Sequence, residues 1–209
     1  MLSAAQIVAL HDQRTRDWHQ IPVPDQSSAP PSAEESPWLE SVQLQHRANF
    51  DLWHIEDEAR TPGATDAQIA QVKRRIDSTN QRRNDLAEQL DQQLLAWLAP
   101  RSLPNPAAPV HSESPGLIID RLSILALKIY HTREEAARAG APTGHAARNL
   151  DRLAILEAQR ADLAACLDTL WRETLAGTRR FKLYRQLKMY NDPSLNPAVY
   201  QRPTDPPRS

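Results

Sequence analysis

One cysteine, Cys166, stands alone in 209 residues. It excludes an intramolecular disulfide and suits a reducing compartment. Glycines number five, and no Gly-rich phosphate loop, Gly-x-Ser-x-Gly elbow or Cys-x-x-Cys pair occurs. No run approaches the ~20 apolar residues that a membrane span needs. The start, MLSAAQIVALHDQ, has no basic n-region, and its apolar run is too short and interrupted for a signal peptide. An excess of one charge is missing as well. The formal net charge is -1, so overall charge implies neither nucleic acid nor membrane as a partner. These absences predict a soluble, cytoplasmic protein.

Proline is abundant by contrast. Seventeen prolines punctuate long Ala/Leu/Gln/Arg/Glu runs, a pattern of helices broken by proline loops rather than of sheet. A first amphipathic helix is predicted over 3–19, with Ile7, Val8, Leu10 and Trp18 on its apolar side, followed by a Pro/Ser-rich linker over 21–36. Ser36-Pro37 opens a helix that runs to about Arg60, where Pro62-Gly63 stops it. Thr65 with Gln68 forms a capping box for the next helix, which reaches Leu98. After a proline loop over 100–111, Ser114-Pro115 opens a helix to about Arg138. Gly140 and Pro142 break it, and a fourth long helix extends to roughly Gly177. The tail begins as a short helix and ends extended, because Pro193 and Pro197 forbid continuation.

A shift of 77 residues aligns 46–98 with 123–175 without a gap, and roughly a quarter of positions are identical. His54 falls on His131, Gly63-Ala64 on Gly140-Ala141, Arg83 on Arg160, and Leu90-Asp91 on Leu167-Asp168. The fold expected is all-α: an antiparallel four-helix bundle of two pseudo-repeated hairpins over 37–177, with an N-terminal helix and linker (1–36) and a basic tail (178–209). The repeat leaves open whether there are two equivalent sites or one shared site.

Polar residues interrupt the apolar stripes of this bundle. On the helix after Thr65, Ile69, Val72, Ile76, Asn80, Arg83, Ala87, Leu90 and Leu94 share one stripe, edged by Lys73, Asp77, Asn84 and Asp91. The preceding helix carries His46, Asn49, Trp53, Asp57 and Arg60 opposite its aliphatic side, with His54 on the flank. Antiparallel packing places His46 near the level of Asn80. In the second hairpin it places Asp120 near Arg160, where an ion pair is expected. Buried charges must pair with each other or with a ligand. His46 and His54 with Asp57 are the acid/base candidates. Lys73, Arg83 and Lys128 would hold an anion, with Asp77, Asn80, Asn84, Asp120, His131 and Arg160 completing the inner set. The competing interpretation of the same residues is a ligand-free network that fixes helix register. A metal centre is the weaker reading: there is no His-x-x-x-His, no Glu-x-x-His on each hairpin, and His46 and His54 point about 80° apart. Cys166 falls in an apolar helical pattern and reads as a small core residue.

From Thr178 onward seven Arg/Lys accompany two Asp, about +5, leaving about -6 for the rest. Arg179, Arg180, Lys182, Arg185 and Lys188 alternate with Phe181, Tyr184 and Tyr190. This is the pattern of a strap on an acidic bundle or a lid over an anion site; single-stranded nucleic acid is a third reading that the net charge disfavours.

At LQHRANFDLWHIEDEAR, IDSTNQRRNDLAEQLD, SPGLIIDRLSILALKIYH and YRQLKMYNDP the chain resembles the bacterial domain-of-unknown-function family 4254, from about Val42 to Pro197. The resemblance names relatives without naming chemistry. It implies a small cytoplasmic helical protein in a surface-polysaccharide or lipopolysaccharide glycosyltransferase setting. Carried onto this sequence, its motifs fall on Glu56, Arg60, Asp85, Arg185 and Lys188 as well as on most of the inner set. The expected function is binding or processing of an anionic phosphorylated or nucleotide-sugar metabolite. The alternative is a non-catalytic, homodimeric partner that scaffolds a glycosyltransferase. No nucleic acid is expected in either case.

Overall fold

The structure, a computed structural model, describes residues 3–20, 37–187 and 194–197. The linker over 21–36, the Ser36 cap and Lys188 lie outside the described residues. Among the described residues there are five α-helices: α1 (Ala4–Gln20), α2 (Pro37–Glu58), α3 (Asp66–Leu98), α4 (Pro115–Ala137) and α5 (His145–Leu175). None is long and apolar enough to cross a membrane.

Local chemistry sets most of the boundaries. Thr65 Oγ1 accepts the Gln68 amide while Gln68 Oε1 accepts the Thr65 amide at 2.8 Å, which completes the capping box of α3. Ser114 caps α4 through the Leu117 amide, with Pro115 at the first helical position. Helix α5 opens at His145, three residues beyond Pro142, because Gly144 takes a left-handed φ of 78° there. It closes in a Schellman turn. Gly177 (φ 70°) lets its own amide reach Thr174 O and the Thr178 amide reach Glu173 O.

The core gathers Ala4 and Ile7 of α1, Val42 of α2, and Ile118, Ile119 and Leu122 of α4. It also takes Leu90, Leu94 and Leu98 of α3, and Leu167, Leu170 and Trp171 of α5. Helices α1, α2 and α4 therefore enter by their first turns and α3 and α5 by their last. The first three run one way and the other two run back. Helix α4 packs against each of the others, whereas the backbone of α5 lies along α4 and α1 only. Its sequence, GLIIDRLSILALKIY, is apolar nearly all round, as a helix covered on all sides requires. The N-terminal helix is thus part of the core.

Helices α3 and α4 approach closely at Gly116. A Cβ there would fall inside contact distance of the Ala87 carbonyl oxygen and 3.0 Å from the Asp91 carboxyl. Gly116→Ala is expected to destabilise the fold by about 3 kcal/mol, since only a backbone shift of α3 or α4 can relieve the clash. A Gly116→Ala unfolding midpoint equal to the wild type in urea would refute this.

The tail does not begin as a helix. Residues 181–187 are irregular, and Phe181 is buried in the core. Arg180 pairs with the proline loop: its amide donates to Pro109 O and its carbonyl accepts the His111 amide at 2.7 Å. An apolar plug and two backbone bonds to a loop hold this segment extended. Further on, the Gln186 amide donates to Glu88 of α3. The strap lies on the bundle, and no described tail residue lines the groove described below.

Candidate functional site

Because α1, α2 and α4 run in the same direction, residues at equal depth on each meet across their common seam. Two polar levels follow, about 12 Å apart for eight residues of helix.

The first level holds His11, His46 and Ser123. His46 is fully buried, and both of its ring nitrogens are engaged. Nε2–H donates to the His11 carbonyl (3.1 Å) and approaches Thr15 Oγ1 (2.9 Å), while Nδ1 accepts the Ser123 hydroxyl (2.7 Å). A carbonyl can only accept, so the proton sits on Nε2. Ser123 Oγ in turn accepts Asn49 Nδ2 at 2.9 Å, and the same amide donates to Asp120 Oδ1 at 2.9 Å. Gln45 Nε2 donates to that oxygen at 2.6 Å, and Arg83 Nε stands 3.6 Å from it. Burial holds the His46 pKa down at about 3. It raises the Asp120 pKa, against the pull of Arg83, Asn49 and Gln45. His11 stacks on His46 at 4.4 Å, is fully buried, and has no hydrogen bond to either ring nitrogen. Its pKa is pushed well below the usual histidine value by burial, with His46 and Arg160 adding to the effect.

The second level holds His19, His54 and His131. Trp53 lies flat on His131 (4.8 Å between centroids, 7° between planes) and Tyr130 on His19 (4.2 Å, 19°). Phe50 meets His54 edge-on at 4.5 Å. Partial burial lowers the pKa of His54 and His131, helped by the neighbouring histidines and opposed by the carboxylates of Asp57 and, at His131, Glu134.

Beside these levels, α2, α3 and α4 enclose an open groove of about 390 Å³. Leu52, Trp53, Ile124 and Leu127 make its apolar walls, and Asn49, Glu56, Asp57, Arg60 and Arg83 supply its polar groups. Arg83 is mostly buried. Its Nε has no hydrogen-bond partner, and its Nη2 makes a long contact (3.4 Å) to Asn84 Oδ1.

The residues singled out in the sequence divide accordingly. His46, Asn49, Arg83, Asn84 and Asp120 come together in and beside the buried network. Asp57 and Arg83 reach the groove. His54 and His131 meet at the second level. Lys73 is exposed and pairs with Asp77 one turn on; Asn80 is half-buried on the same helix. Lys128 is exposed on α4 and faces a second groove towards Asp162 and Cys166 of α5. Arg185 is exposed on the strap. Three corrections follow. Arg160 pairs with Asp12 (2.7 Å), not Asp120, because α1 presents the nearer carboxylate and Arg83 already faces Asp120. Cys166 is exposed rather than core, since it lies in the open groove between α4 and α5. Asp91, placed on the edge of the α3 stripe, is buried where it caps α4: its Oδ1 accepts the Gly116 amide at 2.7 Å, and burial raises its pKa to about 6.

Sequence reasoning missed His11, Thr15 and His19. A signal for them exists. The dipeptides Trp18-His19, Trp53-His54 and Tyr130-His131 repeat an aromatic-histidine pair, each with His or Ser seven residues before the aromatic, at His11, His46 and Ser123.

Residues 39–183 match the family model described as "Protein of unknown function (DUF4254)". No curated protein and no solved structure matches the chain.

Proposed function

The chain belongs to the DUF4254 family, and from its own geometry we propose that it binds a phosphorylated or nucleotide-sugar metabolite in the groove between α2, α3 and α4. The observation that carries the reading is Arg83, a mostly buried guanidinium that faces Asp120 at 3.6 Å but makes no hydrogen bond through Nε, opening on a groove walled by Trp53. A guanidinium fork suits a phosphate. An indole face suits the C–H side of a sugar ring, and Asn49, Glu56 and Asp57 offer donors and acceptors to its hydroxyls. Arg60, at the rim and paired with Glu56, can turn to a second phosphate. Surface-polysaccharide assembly, implied by the resemblance, would supply such a metabolite in the cytoplasm. In this reading His46 is a structural group, since both of its nitrogens are already bonded, and any proton transfer falls to Asp57, which lines the groove.

We read the two hairpins as pseudo-equivalent about one shared site. Residues 77 apart support this by meeting or by doing the same work. His46 bonds Ser123, and the His54 and His131 rings lie 5.9 Å apart. Asp91 caps α4, and Asp168 likewise accepts the Ala4 amide of α1 at 3.0 Å. Arg83 faces Asp120 of α4 as Arg160 faces Asp12 of α1. Helix α1 thus stands to α5 as α4 stands to α3. The partner-protein alternative has less to rest on. On α5 the two most exposed apolar side chains, Leu150 and Ile155, point about 140° apart, which leaves the strap, where Leu187 and Tyr184 are exposed, as its contact.

A thermal-shift screen against nucleotide sugars and sugar phosphates, run in EDTA, tests the proposal. A ligand at ~100-fold its dissociation constant should stabilise the fold by about 2.7 kcal/mol. Arg83→Ala, compared with its own ligand-free melt, should abolish that shift. Silence across the screen, or a shift retained in Arg83→Ala, would overturn it.

A further inference from the structure

We propose that His19, His54 and His131 form a three-histidine site for a first-row divalent transition metal, with Zn²⁺ as the fitting ion. One ring nitrogen from each residue lies within 4.8 Å of the other two. Tetrahedral zinc at 2.0–2.1 Å from each nitrogen spaces its ligands about 3.3 Å apart, so side-chain rotations that close each gap by about 1.5 Å or less complete the shell.

Lone pairs, not proximity alone, carry the assignment. His19 Nδ1 lies 2.6 Å from the Thr15 carbonyl oxygen, which can only accept, so Nδ1 holds the proton and Nε2 keeps its lone pair. His131 Nδ1 lies 2.8 Å from Glu134 Oε2, and a carboxylate fixes the same tautomer. Both Nε2 atoms are buried and have no hydrogen-bond partner. Two acceptors in one cluster cannot satisfy each other; they need an electrophile between them, and His54 stands beside them as the third ligand. A backbone carbonyl or carboxylate on the far nitrogen is the outer arrangement that orients metal-binding imidazoles.

The surroundings hold the rings in place. Trp53 and Tyr130 stack on His131 and His19, and Phe50 packs against His54, which confines each imidazole to the small rotations that closing the shell needs. Three neutral imidazoles with no thiolate and no carboxylate in the ligand set select zinc and its neighbours over magnesium or calcium. Three protein ligands also leave the fourth position open. Asp57 is near enough for its charge to act on both His54 and His131, and it lines the groove as well, so the open position and the groove share a neighbour. The site does not depend on the groove holding a sugar.

The test uses the full chain, stripped with EDTA and desalted. Titration with Co²⁺ should give the intense visible bands of a tetrahedral ion, saturating at one equivalent and displaced by Zn²⁺. Zn²⁺ should raise the melting temperature where Mg²⁺ and Ca²⁺ do not. His19→Gln and His131→Gln, checked for fold by circular dichroism, should each weaken binding on the order of 100-fold or more. His111→Gln, in the proline loop, should leave it unchanged. Where a variant does not fold, the wild-type titration decides alone. No stoichiometric Co²⁺ binding by the wild-type chain overturns the site, as does binding that survives in folded His19→Gln. Because no sugar is present here and the sugar screen contains EDTA, either proposal can fail without the other.

Discussion

Asp120→Ala is expected to destabilise the fold by about 3–5 kcal/mol in urea unfolding at neutral pH. One oxygen of this buried carboxylate receives Gln45 and Asn49 and faces Arg83. Removing it strands two amide donors and leaves a mostly buried guanidinium without its counter-charge. The cost is therefore that of orphaned groups, which exceeds the net worth of the bonds themselves. Asp120→Asn keeps an acceptor oxygen and should cost about half as much. The related pair at Arg160 and Asp12 sets the scale, being closer (2.7 Å) but with a carboxylate twice as exposed (24% against 12%). Asp12→Ala should cost only about 1 kcal/mol. Equal losses for Asp120→Ala and Asp12→Ala would show that the network is not the keystone inferred here. A double-mutant cycle of Asp120→Ala with Arg83→Ala would then apportion the remainder.

Asp120 also marks where the sequence was legible and where it was not. Helix boundaries that depend on local chemistry were readable: Pro62-Gly63, the Thr65 box and Ser114-Pro115 each satisfy backbone groups within a few residues. The wheel also placed Arg83 inside an aliphatic stripe, and the structure puts it against Asp120. Partners set by the third dimension were not readable. Counting back from a turn pairs Asp120 with Arg160, which takes no account of α1 lying along α4 and α5 and bringing Asp12. His19 is hidden in the sequence for a related reason. Helix α1 shows an ordinary apolar side of Ile7, Val8, Leu10 and Trp18, and a linker separates it from the bundle, so nothing local marks its histidines. Only the thrice-repeated aromatic-histidine pair does, and that pattern gains meaning once α1, α2 and α4 are known to run parallel. The tail misled through composition. Its alternating basic and aromatic residues suit a short helix, yet Phe181 spends its side chain in the core and pulls the backbone straight.

The same buried histidines predict how stability follows pH. His46 has a folded pKa of about 3 against 6.5 in the unfolded chain, so the unfolded state binds the proton first. Its contribution is full above pH 6.5 and is lost as pH falls towards 3; from pH 7 to pH 5 it withdraws about 2 kcal/mol. His11, lowered even though no hydrogen bond holds it, acts with the same sign. Asp91 works the other way. Its folded pKa of about 6 lies above the unfolded 3.8, so its contribution is full below 3.8 and lost as pH rises through 6. Over the same interval it returns about 1 kcal/mol on acidification. Asp120, also raised, adds to that return. The net expectation is a protein that weakens below pH 6.5, gently at first and steeply below pH 4, where the carboxylates have no more to give. His11→Leu isolates the histidine part. Leucine is close in volume, and no hydrogen bond to the ring is lost, because neither nitrogen makes one. Relative to wild type, His11→Leu should be more stable at pH 7 by about 1 kcal/mol. Its loss between pH 7 and pH 5 should be smaller than that of the wild type. Urea titrations of the two proteins at both pH values measure this. Parallel pH curves would mean that His11 is charged in the folded state, which requires a counter-ion or water that its fully buried, unpartnered ring does not have.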